Sequence, residues 1–133
     1  MNIQDYADRA AKMKANGNNC CQAVAMALAD RTCLTEDQLR LAAAGFGMGM
    51  GNMQSACGAL VGAVMVVGLQ TQGVRSTIFA KDIQENFKKR CGAILCKELK
   101  ANDPETGKVL CPCDQCVRNA VLAYGDVVDA QIK

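Results

Sequence analysis

Small and apolar residues recur every three or four positions along most of the chain, which is the period of amphipathic helices. The first predicted helix carries on one face Ile3, Tyr6, Ala7, Ala10 and Met13. A longer helix after Ser76 carries Ile78, Phe79, Ile83 and Phe87, and the last carries Val117, Val121, Tyr124 and Val128. Only residues 64–67 resemble a strand, and their glycine- and alanine-rich surroundings argue against one. The pattern therefore predicts an all-α protein.

Capping residues separate the predicted helices from one another. Asn16–Asn19 ends the first helix and caps a second, which spans about 20–30. Thr35 and Gln38 form a capping box that opens a third helix. With the remaining segments, these signals predict one compact bundle of about five to six helices, with residues 1–133 in a single domain.

Glycine occupies every second position from Gly45 to Gly51, shortly before Cys57. Dense glycine disfavours a helix, so we predict a loop here, with Ser55 as the N-cap of the buried helix that follows. A backbone without side chains can bring N–H groups close to a sulfur atom. The candidate cofactor-contacting residues are therefore Gly47, Gly49, Gly51 and Gly58. A simple turn between two helices is the alternative.

The residue types that are missing limit the chemistry. The chain contains no histidine, which excludes Ser–His and Cys–His nucleophile pairs and histidine metal ligands, so hydrolase chemistry is disfavoured. The net charge of +2 is spread along the chain and gives no basic patch for nucleic acid. Nine cysteines remain as the chemically distinctive residues, and an odd number excludes complete internal pairing in disulfides.

No apolar segment predicts export or a membrane span. Residues 1–14 mix charged and small side chains and lack the apolar core of a signal peptide. Residues 41–74 carry no charge, but the apolar run 56–69 is only 14 residues long, which suits a buried helix better than a span. We therefore expect a cytoplasmic protein, in which cysteines serve as metal ligands or redox thiols.

Three of the cysteines fall at predicted helix starts. Cys20, Cys57 and Cys113 each lie in or at the first turn of a helix, where unpaired N–H groups and a partial positive charge stabilise a thiolate. The thiolate is the form that binds metal or attacks a disulfide. If the bundle brings these helix starts together, Cys96 is a natural fourth ligand at the same end.

Four segments of the chain match the motifs of a known family. These are NCCQAV at 19–24, the long segment FGMGMG with CGALVGAVMVVGL at 46–69, CKEL at 96–99, and Cys113 with Val117 and Ala120. On these residues the chain resembles the C_GCAxxG_C_C family of redox-active proteins, over nearly its whole length. Met48 departs from the pattern, because many relatives have glycine there. The cysteines outside the family pattern are Cys21, Cys33, Cys91, Cys111 and Cys116.

The resemblance implies redox work with a redox partner protein. It implies that an iron–sulfur cluster for electron transfer or redox sensing is held by Cys20, Cys57, Cys96 and Cys113. It identifies no catalytic residues, so whether the chain is itself an enzyme is left open. A site at the end of a small bundle is also a place where two chains can meet, so a homodimer is left open as well.

Two other interpretations of the cysteines are retained. The first is a structural zinc site whose spacing resembles a zinc ribbon, with the ligands Cys91, Cys96, Cys113 and Cys116. The second is a metal-free thiol–disulfide protein that uses the Cys113-x-x-Cys116 pair at a helix start. A purely structural bundle, in which the cysteines act as small apolar residues, is the non-redox alternative.

Overall fold

A computed structural model describes residues 2–131 of the chain, and within them all regular structure is helical. The α-helices are α1 (Ile3–Ala15), α2 (Cys20–Ala27), α3 (Glu36–Ala43), α4 (Gly58–Thr71), α5 (Ser76–Cys91), α6 (Cys96–Leu99) and α7 (Cys113–Gln131). The all-α prediction is confirmed. The predicted number of five to six helices is too low. The short segment that begins at Cys96 forms a helix of its own, so the described part of the chain contains seven α-helices.

Side-chain caps begin the first three helices. At the start of α2, the Asn19 Oδ1 atom accepts from the Gln22 N–H at 2.9 Å, and the Gln22 Oε1 atom accepts from the Asn19 N–H at 3.0 Å. The predicted box of Thr35 with Gln38 is present in the same form. Because α2 ends at Ala27 and a short 3₁₀ turn follows, this helix is shorter than the sequence predicts.

Helices α2, α4 and α7 form the centre of the bundle. Helix α7 packs against α1, α5, α4 and α2, while α2 also packs against α4, α1 and α3. Small residues let these helices approach closely. A Cβ atom on Gly62 of α4 would lie 2.8 Å from the Cys21 carbonyl oxygen and 3.1 Å from the Val24 Cβ atom of α2. The apolar run therefore forms a core helix, as predicted.

The start of α4 differs from the sequence prediction. Its N-cap is Cys57 rather than Ser55, because residues 55–57 are drawn into an extended pairing with residues 94–96. The Cys57 N–H donates to the Ile94 carbonyl at 2.8 Å, and the Cys96 N–H donates to the Ser55 carbonyl at 3.0 Å. These two backbone bonds hold Cys57 and Cys96 side by side.

Helix length and hydropathy bear on the membrane question. Within residues 2–131, no helix combines the length and the apolar character that crossing a membrane requires. The cytoplasmic location stays a prediction.

Candidate functional site

One cavity, of about 400 Å³, lies at the end of the bundle where several helices begin. Its wall includes all four cysteines that match the family pattern, Cys20, Cys57, Cys96 and Cys113. Lys14 and Lys100 add two cationic side chains, and Met48 and Met53 add apolar ones. The structure thus brings together four residues that are spread over most of the sequence.

Each of these cysteines stands at a helix start. Cys20, Cys96 and Cys113 are the first residues of α2, α6 and α7, and Cys57 is the N-cap of α4. The first N–H groups of a helix have no partner within it and carry a partial positive charge. At Cys57 the backbone N–H groups of Ala59 and Leu60 act to lower the pKa of the thiol. The helix starts therefore favour thiolates at this cavity.

The N-cap of α2 links the cavity to the glycine-rich segment. The Asn19 Nδ2 atom donates to the Ala44 carbonyl at 3.0 Å, just before that segment. A Cβ atom on Gly47 would lie 2.3 Å from the Asn19 Cγ atom, so only glycine fits at this position without displacing the cap. Gly47 therefore helps to fix the start of α2 and, with it, Cys20.

The four candidate glycines serve the packing of the site in different ways. Gly58 lines the cavity. Gly49 has φ +58°, and its Cβ would lie 2.8 Å from the Cys96 Cβ atom, so its absence of a side chain leaves room for Cys96. Gly51 has φ +89° and open space around it, so it serves the turn rather than a close contact. Contact between these glycines and a cofactor stays a prediction.

Methionines in the same segment adopt unusual backbone conformations. Met48, Met50 and Met53 have φ of 55°, 63° and 63°, in the left-handed region that favours glycine. Such a conformation costs a residue with a side chain about 1–2 kcal/mol. Glycine would adopt the left-handed backbone of Met48 without this cost. Two of these methionines, Met48 and Met53, also line the cavity.

Burial raises the pKa of three of the four cavity cysteines, namely Cys20, Cys57 and Cys96. Burial raises the pKa of Cys20, the neighbouring Cys113 and Cys57 raise it as well, and Lys100 opposes them, so that the pKa lies at about 12. The pKa of Cys57 is raised by its hydrogen bond with Cys116 and by burial. Burial also raises the pKa of Cys96. These groups become thiolates only when a cation compensates them.

Lys100 is a cationic side chain beside these thiols; it acts to lower the pKa of Cys20 and Cys96 but does not outweigh their burial. Its Nζ atom donates to the Cys111 carbonyl at 3.0 Å and to the Cys116 Sγ atom at 3.4 Å, and the side chain also lines the cavity. Burial acts to lower the pKa of Lys100, but the thiols of Cys116 and Cys113 outweigh it, so the pKa is raised. Lys100 therefore stays charged beside the thiols.

A second group of cysteines lies behind the cavity. The Sγ atoms of Cys91, Cys111 and Cys116 all lie within 4.8 Å of one another, and all three residues are buried, so this trio could hold a metal ion. The sequence did not single out this trio. The predicted zinc ribbon combines Cys91 and Cys116 with Cys96 and Cys113, but the latter two line the cavity. The structure thus divides the predicted zinc ligands between two places.

The pKa shift of Cys21 gives a pH prediction for the metal-free protein. Burial, together with the neighbouring Cys20 and Cys57, raises the pKa of this thiol from 9.0 to about 12. The folded state therefore holds the proton more tightly than the unfolded state, and this contribution is complete below about pH 9 and is lost as the pH rises towards 12. We expect urea unfolding to show a falling free energy of unfolding over this range.

Two variants distinguish the contribution of Cys21 from other causes of a lower free energy of unfolding at alkaline pH. In Cys21→Ala the fall between pH 9 and 12 should be smaller, by up to about 4 kcal/mol for a shift of three pKa units. In Cys33→Ala, which alters an exposed cysteine, the fall should match that of the wild type. An unchanged pH dependence in Cys21→Ala would contradict the prediction.

Comparison with known proteins identifies the family. Residues 18–126 match the family described as "Putative redox-active protein (C_GCAxxG_C_C)". Comparisons with curated proteins and with solved structures gave no match. The matched residues include every cysteine of the cavity and of the trio behind it. The match covers well over half of the 133 residues of the chain. This chain therefore belongs to the C_GCAxxG_C_C family.

Proposed function

We propose that Cys20, Cys57, Cys96 and Cys113 hold an iron–sulfur cluster, which the protein uses for electron transfer or redox sensing. The observation that supports this is the convergence of four family-pattern cysteines, each from a different helix start, on one cavity. Thiolates are the usual ligands of such clusters. The proposal also agrees with the redox character of the family.

The spacing of the cavity cysteines suits a group larger than a single ion. Two thiolates bound to one tetrahedral zinc ion lie about 3.8 Å apart, given zinc–sulfur bonds of about 2.3 Å. Among the residues that the structure describes, the thiols grouped within 4.8 Å are those of the trio, and no three cavity cysteines form such a group. A cavity of about 400 Å³ leaves room for a polynuclear cluster between them.

The surrounding residues suit a negatively charged group with a tuned potential. An iron–sulfur cluster supplies electron exchange at a potential set by charge, burial and hydrogen bonds to sulfur. Lys14 and Lys100 offset the negative charge of the thiolates, and the N–H groups of Ala59 and Leu60 act on Cys57. Met48 and Met53 add apolar side chains to the wall of the cavity.

The other interpretations have less support. The thiol–disulfide interpretation uses the Cys113-x-x-Cys116 pair, and such a pair needs a thiol with a lowered pKa, whereas the pKa of Cys116 is raised. A zinc ribbon needs its four ligands around one ion, whereas Cys91 and Cys116 group with Cys111, and Cys96 and Cys113 line the cavity.

Anaerobic purification tests the proposal directly. We expect a coloured protein with broad absorbance near ~400 nm, containing iron and acid-labile sulfide in stoichiometric amounts. Zinc is measured in the same samples. A colourless protein that contains zinc alone, or that stays colourless after reconstitution with iron and sulfide, would contradict the proposal.

A further inference from the structure

We propose that Cys91, Cys111 and Cys116 form a second metal site, which binds one Cu(I) ion separately from the cavity. The three residues come from the end of α5, the loop before α7 and the first turns of α7. None of them belongs to the four-cysteine pattern of the proposed cluster. The site would therefore be a property of this chain in addition to its proposed redox function.

The geometry of the trio suits a single ion. The three Sγ atoms lie within 4.8 Å of one another. An ion bound to three thiolates in a plane, with metal–sulfur bonds of about 2.3 Å, requires sulfur atoms about 4 Å apart. A small inward movement of the side chains therefore completes the site. The three residues are 5%, 3% and 0% exposed, so bulk water does not compete for the ion.

Two N–H donors already point at the sulfur atoms. The Asn119 Nδ2 atom donates to the Cys91 Sγ atom at 3.3 Å, and the Lys100 Nζ atom donates to the Cys116 Sγ atom at 3.4 Å. The Gln115 Nε2 atom donates to the Asn119 Oδ1 atom at 3.0 Å, which orients the Asn119 amide. Hydrogen bonds of this kind stabilise thiolate ligands and fix their orientation.

Asn119 is unusual in its surroundings. At 7% exposure it is the buried polar side chain of the described core, whose other buried members are apolar residues and cysteines. A buried amide is costly unless its hydrogen bonds are made. The hydrogen bond from Asn119 to Cys91 compensates for the burial of this amide. A cluster of thiols that only filled space would not require a polar partner at this position.

The donor set selects the ion. Three sulfur atoms with no carboxylate among them suit a soft ion, and soft thiolate ligands favour Cu(I) and zinc. Structural zinc takes four ligands, whereas three thiols group here and their burial leaves no place for water. The thiol of Cys57, which contacts Cys116, belongs to the proposed cluster. Cu(I) accepts three thiolates, and the charged Lys100 beside Cys116 offsets part of the remaining negative charge.

The cavity provides the entry path. Cys57 and Lys100 both line the cavity, and both contact Cys116. An ion that binds first to Cys57 can therefore pass to Cys116 and then to the other two thiols without leaving sulfur ligands. Once bound, the ion would tie the loop that carries Cys111 to α5 and α7.

A variant without two cavity ligands isolates the trio. In Cys20→Ser/Cys113→Ser, titrated anaerobically with Cu(I) against a chromophoric chelator, we expect one tightly bound equivalent per chain. Adding Cys111→Ser, or Cys91→Ser in a separate variant, should remove that equivalent. Adding Cys33→Ser, a matched change at an exposed cysteine, should leave it in place. Helical circular dichroism is recorded for each variant to verify folding.

Trypsin cleavage gives a second readout. Lys108 is exposed in the loop before α7, so bound Cu(I) should slow cleavage there in the parent variant and leave it unchanged after Cys111→Ser. The proposal is overturned if no Cu(I) equivalent depends on Cys111 and Cys91, or if zinc is held there in preference to Cu(I). Because the background lacks two proposed cluster ligands, the result does not depend on whether a cluster forms.

Discussion

Replacing Cys20 with serine is expected to remove the iron, the sulfide and the visible absorbance that the wild-type protein carries after anaerobic purification. Asn19 fixes the start of α2, so the side chain at position 20 faces the cavity in a defined place. The hydroxyl of serine is a poor replacement for a thiolate at such a cluster. The neighbouring Cys21 cannot take over, because it is fully buried with its Sγ atom 3.8 Å from the Met65 sulfur.

The matched control is Cys33→Ser. Cys33 is exposed and does not line the cavity, so this variant should keep the full iron and sulfide content. Retention of the absorbance in Cys20→Ser, or its equal loss in both variants, would show that the cavity cysteines are not the ligands. Cys57→Ser should behave like Cys20→Ser, since Cys57 comes to the same cavity from a different helix.

The second large effect concerns stability, at Gly62. A Cβ atom there would lie 2.8 Å from the Cys21 carbonyl oxygen, which belongs to the backbone of α2 and cannot move alone. Gly62→Ala should therefore force α2 and α4 apart and lower the free energy of unfolding by about 1–3 kcal/mol. For a domain of this size the melting temperature should fall by roughly 3–10 °C.

Gly68→Ala on the same helix provides the comparison. Nothing lies within 4 Å of a Cβ atom at Gly68, so alanine there gains helix propensity without a clash. It should raise the free energy of unfolding by about 0.5–1 kcal/mol. Thermal unfolding of the two variants should thus shift in opposite directions. A shift of the same sign in both would mean that the close approach of α2 and α4 does not limit the packing.

Local sequence signals predict much of this arrangement. Asn19 before Cys20 is a capping residue, and Pro112 before Cys113 is compatible with a helix start, so both cysteines could be placed at helix starts from their neighbours alone. Gly58 and Gly62 stand four residues apart on α4, a spacing that likewise indicates a face of small residues for close packing. These features depend on residues within one turn of each other, which is the range over which sequence patterns are informative.

Long-range contacts account for what the sequence does not predict. The N-cap of α4 moves to Cys57 because its N–H group bonds to Ile94, far along the chain. The trio behind the cavity requires α5, α7 and the loop between them to meet, and nothing near Cys111 signals this. Lys100 belongs to no sequence motif, yet its side chain lines the cavity and also donates to Cys116 of the trio. Only tertiary packing gives these residues their surroundings.

The four helix starts around the cavity are distributed from residue 20 to residue 113. A group bound by all four would act as a multiple cross-link, closing loops over most of the chain in the way that disulfides do. Its binding energy would then also be folding energy. The loaded protein should persist while the empty form unfolds and is degraded sooner, so the cellular amount of this protein would follow the supply of its cofactor.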